Sequence, residues 1–137
     1  MAEIQVPISP GELLDKITIL RIKCRRIADP AKLANVRREL TLLEQTWQRT
    51  VGERPELTAD ITALESVNAA LWQIEDDIRL HEAGGRFDAS FIQLARAVYL
   101  RNDERAAIKK RINLALHSTI VEEKSYQPYA RPESPPR

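Results

Sequence analysis

The apolar positions of this chain recur in steps of three and four over nearly its whole length, which is the spacing of helices that each bury one face. Leu13, Ile17, Leu20, Cys24 and Ile27 form a first stripe, and Leu14, Ile19 and Ile22 widen it well beyond one narrow face. A helix of that kind touches more than one neighbour. Leu33, Val36, Leu40, Leu43 and Trp47 give a second, plainer stripe. A third runs Leu57, Ile61, Leu64, Asn68, Leu71, Glu75, Ile78 and Glu82, and a fourth Phe91, Leu94, Val98, Ile108 and Ile112. Only Ile4, Val6 and Ile8 alternate. Pro7 and Pro10 close that run as an extended arm, too short for a sheet, that is expected to lie across the helices.

Local punctuation bounds these elements. Ser9-Pro10-Gly11-Glu12 reads as a capping box with proline at the first helical position. Asp29-Pro30 repeats the cap-then-proline signal, so the second helix folds back tightly on the first. Gly52 and Pro55 mark the first clear break, after which one long helix spans Leu57 to about Ala83 and stops at Gly84-Gly85. Asp88 caps a fourth helix that lasts to about His117, beyond which Ile120-Val121 can pack back on the body. Pro128, Pro132, Pro135 and Pro136 then preclude helix, so residues 125–137 are expected to be a disordered tail behind a single helical domain, 1–124. The fold class expected is all-α, an antiparallel four-helix bundle with an extended N-terminal arm.

Charge narrows the function classes. With 21 basic and 20 acidic residues the net charge is +1, so no global field marks a nonspecific nucleic-acid binder. The single Cys24 excludes an intramolecular disulfide framework and a multi-cysteine zinc site, and on an apolar helical face it reads as a small buried hydrophobe in a reducing compartment. Residues 1–8 lack a signal peptide's basic and apolar regions and no window is long enough to span a membrane; a cytoplasmic location follows as an expectation.

The informative conflict lies in the third stripe, where Asn68, Glu75 and Glu82 interrupt the aliphatics. The fourth helix carries Arg96, Tyr99, Asn102, Asp103, Arg105, Lys109 and Asn113 beside its own seam. If these two helices are antiparallel neighbours across Gly84-Gly85, Glu75 falls near Arg96 or Tyr99, and Asn68 near Asn102 or Arg105. A carboxylate in a helical core costs several kcal/mol unless paired, so those residues are its expected partners. The cluster is then either a network that fixes register or an interhelical pocket for a polar or anionic ligand. Glu12 with Asp15, and Glu75 with Arg79, read as ordinary solvated charge at helical spacing. The run Glu75-Asp76-Asp77 points in several directions and is no metal site without a second acidic helix. His81 lacks a nucleophile or second ligand beside it, and Trp47 and Trp72 sit among aliphatics as core residues.

The segments PISPGELLDKITILRIK, LANVRREL, VNAALWQIEDDIR, FDASFIQLARAVYLRNDERAAIKKRIN and STIVEEKSY resemble a small bacterial family of unknown function, over most of residues 6–126. That resemblance implies no reaction; members of the family accompany genes for surface-polysaccharide or glycosyl-transfer functions. A looser similarity is to all-helical chorismate mutases, which hold a dicarboxylate between helices. The basic residues of the first helix do not match that pattern, so no catalytic residue carries over.

Together these readings give a helical binding or interaction module. Its expected pocket comprises Glu75, Arg79, Arg96, Tyr99, Asn102, Arg105 and Lys109 and takes an anionic sugar or phosphate-bearing ligand, with neither metal nor cofactor. The alternatives are a small enzyme using Glu75 or Glu82 as a buried general acid or base, and a structural homodimer whose polar network only fixes register.

Overall fold

The computed structural model describes residues 1–131, which contain four α-helices and no strand. Helix α1 spans Pro10–Arg26, α2 Pro30–Thr50, α3 Thr58–Ala83 and α4 Ala89–Ala115, with a single 3-10 turn at Pro55–Leu57 leading into α3. The starts are chemically determined. Ser9 Oγ accepts from Glu12 N–H (3.2 Å), Asp29 Oδ2 from Lys32 N–H (2.9 Å) and Asp88 Oδ1 from Phe91 N–H (3.1 Å), each satisfying a donor that the first helical turn leaves free. Helix α3 ends at Gly84, and Gly85 takes φ +65°, a conformation that needs no Cβ penalty only in glycine.

Helix α1 is the centre of the molecule, because it packs against α2, α3 and α4 whereas α2 packs principally on α1. Its Leu13, Leu14 and Ile17 join Trp47, Leu57, Leu64, Val67, Ile108 and Ile112 in one core, and Leu20 and Ile22 are also buried. Each fully buried aliphatic side chain contributes about 1.5–3 kcal/mol. The pairing of elements shows in long-range contacts. Asp60 near the start of α3 accepts from Arg111 near the end of α4 (2.9 Å), and His81 near the end of α3 stands beside Phe91 at the start of α4.

That core occupies one end. No residue from 69 to 107 is fully buried, so the far halves of α3 and α4 form a two-helix projection, with Leu80, Phe87 and Ile92 exposed. The N-terminal arm does not lie on the helices: Ile4 and Val6 are 81% and 65% exposed. Cys24 is half-buried rather than sealed in the core. Of the tail expected to be disordered, residues 125–131 are irregular chain, with Tyr129 fastened to α4 by a 2.5 Å hydrogen bond from its hydroxyl to Asp103; residues 132–137 lie outside the described residues.

Candidate functional site

The polar centre of this fold lies between α1 and α4. Asp15, whose side chain is 2% exposed, receives both arms of the Arg105 guanidinium, Nε to Oδ1 at 2.8 Å and the terminal nitrogen to Oδ2. Asn68 Nδ2 of α3 donates to Asp15 Oδ1 and to Thr18 Oγ1, both at 3.0 Å. One turn along α4, Lys109 Nζ donates to Glu12 (2.6 Å) and to Glu122 (3.0 Å), and stands 4.0 Å from Asp15. Next to it Asn113 Oδ1 accepts from Gly11 N–H at 2.7 Å. Glu12 therefore does not complete the capping box that Ser9 opens; its carboxylate goes to Lys109 instead.

These contacts set the charge states. Burial pushes the Asp15 carboxyl upward, but the Arg105 and Asn68 hydrogen bonds and the nearby Lys109 charge outweigh it and hold it below the ordinary carboxylate value. Burial likewise works against the Lys109 ammonium, and Glu12 and Glu122 more than offset it, so its pKa is raised. The Asp15 hydrogen bond outweighs burial at Arg105 and raises its pKa too. Asp15, Arg105 and Lys109 are thus firmly ionised near neutrality. Among the described residues every buried side-chain nitrogen and oxygen has a hydrogen-bond partner, so the inner cluster leaves none of its buried polar atoms unpaired.

Outside it the arrangement opens. After α4 the chain returns along that helix, and between this strap, the start of α1 and α4 lies a cleft of about 880 Å³. Tyr99, Asn102, Arg105 and Lys109 line it from α4, Glu12 from α1, and Glu122, Lys124, Tyr126 and Tyr129 from the strap. The Tyr99 and Tyr129 rings lie 5.2 Å apart, and Lys124 Nζ sits 5.9 Å from the Tyr126 ring centroid. The cleft therefore offers aromatic faces, an amide and an ammonium along one wall.

The structure brings together four of the residues expected in the site, Tyr99, Asn102, Arg105 and Lys109, and leaves the others elsewhere. Glu75 and Arg79 bond to each other at 3.5 Å with 51% and 79% exposed side chains, and Arg96 and Glu82 are exposed as well. Glu75 is not taken into a helical core, because α1 does not cover that part of α3, and Glu82, expected like it as a buried general acid or base, is exposed too. Of its two expected neighbours, Asn102 and Arg105, Asn68 shares a partner with Arg105, since both donate to Asp15 Oδ1. Asp15 and Glu12, read from the sequence as solvated charge, are the carboxylates at the centre, Asp15 buried and Glu12 half-buried. A signal for Asp15 was present: Ile19 and Ile22 follow it at i+4 and i+7, so it lies on an apolar face of a helix that is apolar on most sides. Glu122, Tyr126 and Tyr129 carry no periodic signal, since they come from irregular chain. Among the described residues no three acids, histidines or cysteines come together as metal ligands.

No curated protein and no solved structure matches this chain. One family model does, over residues 4–136, and on that match across nearly the entire sequence the chain belongs to the family described as Family of unknown function (DUF6165).

Proposed function

We propose that this protein is a non-catalytic binding module whose ligand is an anionic sugar chain held in the cleft between α4, the start of α1 and the strap. The observation that carries this reading is the composition of one wall: Tyr99, Asn102 and Lys109 follow each other along α4 and line the same cleft. Aromatic faces accept the apolar faces of sugar rings, amides meet hydroxyls, and the ammonium takes a carboxylate or phosphate. Tyr99 and Lys109 are ten residues apart, about 15 Å along the helix axis. A ligand that meets both is longer than a single sugar ring. The reading takes the four helices as an antiparallel bundle, and the protein as a bacterial cytoplasmic accessory of surface-polysaccharide synthesis.

A second reading is favoured by the hydrogen bonding of the inner cluster. Asp15 joins Arg105 to Asn68, Asn68 also bonds Thr18, and Asn113 holds the Gly11 N–H, which suits a network that fixes the register of α1 against α3 and α4. The two readings concern different layers and can both hold.

Thermal unfolding with added tetragalacturonate, glucose 1-phosphate or neutral maltotetraose tests the first. The acidic oligomer should raise Tm in a concentration-dependent way, and glucose 1-phosphate less, while maltotetraose leaves it unchanged. Tyr99→Ala and Asn102→Ala, both at exposed positions, should remove the shift while the free proteins unfold near the parent temperature. No shift with either anionic compound at millimolar concentration would sink the proposal.

A further inference from the structure

The wall of the cleft that faces Lys109 is built differently from the rest. Past Leu116 the chain reverses at His117, φ +52°, where Ser118 N–H donates to Asn113 O at 2.9 Å, and residues 118–131 then run back along α4 without helix or strand. Between residues 119 and 131 only Val121 is even half-buried, and the rest are exposed. The segment is held by polar contacts: Glu122 to Lys109 (3.0 Å), Glu123 to Lys110 (3.5 Å), Tyr129 to Asp103 (2.5 Å) and the Tyr129 ring beside Tyr99. Partly exposed ion pairs of this kind hold weakly. The opposite side of Lys109 is fixed, because Glu12 belongs to α1, which core packing anchors.

The carboxylates on Lys109 therefore differ in how readily they leave. Glu12 and Asp15 go only if α1 unpacks. Glu122, 43% exposed, goes when an otherwise unburied strap lifts. We propose that residues 118–131 form a displaceable lid, and that the Glu122 carboxylate occupies the place on Lys109 that the anionic group of an entering sugar chain takes. The inference rests on the cleft reading above and gives it a regulation: in the empty cleft the ammonium is capped by the chain's own carboxylate, and ligand binding is a competition against Glu122. Lifting the strap frees one N–H of the ammonium, leaves the Asp15–Arg105 fork intact and uncovers the Tyr99 face.

The experiment compares the full-length protein with Glu122→Gln and Glu123→Gln. Both substitutions remove one negative charge from the strap, but only the first removes a partner of Lys109. Calorimetric titration with tetragalacturonate should show about fivefold tighter binding to Glu122→Gln, the loss of one partly exposed competing ion pair, and affinity within about twofold of the parent for Glu123→Gln. Hydrogen exchange should show faster exchange of amides 119–131 in Glu122→Gln and, in the parent, on adding the oligomer. Equal tightening by both variants would assign the effect to net charge, and unchanged or weaker binding to Glu122→Gln would make Glu122 no competitor; either overturns the lid while leaving the cleft in place. Absence of binding to all three proteins overturns the cleft reading and the lid with it.

Discussion

At the scale of single residues, Asp15 governs how this protein responds to acid. Its pKa is lowered in the folded state, so the carboxylate contributes stability that is fully present above its unfolded value of about 3.9 and is lost as pH falls through the lower folded value. Lys109 has the opposite sign. Its pKa is raised, so its contribution is complete below about 10.4 and is lost as pH rises through the higher folded value. Stability should show a plateau between these limits, and denaturant unfolding at pH 7 and pH 3 should give a smaller difference in Asp15→Asn than in the parent. At pH 7 the same variant should lose about 2–4 kcal/mol, because an amide cannot satisfy the Arg105 fork in a site 2% exposed. An unchanged acid limb in Asp15→Asn would mean that other carboxylates set it.

At the scale of elements, α1 approaches α4 through a glycine. A Cβ on Gly11 would stand 2.6 Å from the Lys109 carbonyl oxygen and 2.8 Å from Asn113 Oδ1. Alanine in place of glycine ordinarily favours a helix by about 1 kcal/mol. Here the nearest obstacle is backbone, which cannot rotate aside, so overpacking wins and Gly11→Ala should destabilise by about 1–3 kcal/mol in denaturant unfolding. The helices themselves were legible because their signals are local: Ser9, Asp29 and Asp88 cap where a cap residue precedes an apolar period, and the fourth helix ends two residues before the expected His117. The role of Glu75 was not legible from its stripe. Helical spacing tells which face a residue shares but not whether another element covers it, and α1, 17 residues long, cannot shield all of α3 and α4, which have 26 and 27. The comparison of lengths was available in the sequence and is the better guide. Half of the cleft was out of reach, because Glu122, Tyr126 and Tyr129 are positioned by a chain reversal at His117 and not by periodicity.

At the scale of the whole molecule, stability is unevenly distributed. Fully buried residues fall at 57–68 in the α3 region and 108–113 in α4, and none between 69 and 107. Hydrogen exchange should therefore report full protection, near the global unfolding free energy, for core amides around Leu64 and Ile112, and lower opening energies for residues 72–100. Uniform protection along both helices would require a covering surface that the isolated chain does not provide. The same distribution bears on how the chain comes together during synthesis. Asp15 and Arg105 are separated by 90 positions. The most central helix is thus made well before the partner that neutralises its buried carboxylate, which follows 90 positions later. Until then α1 can pair only with α2 and α3, and Asp15 has the Asn68 amide but not its Arg105 counter-charge. Completion of the fold waits for α4, so a nascent chain halted before residue 105 should bind hydrophobic dyes and be cut readily by proteases that the finished protein resists.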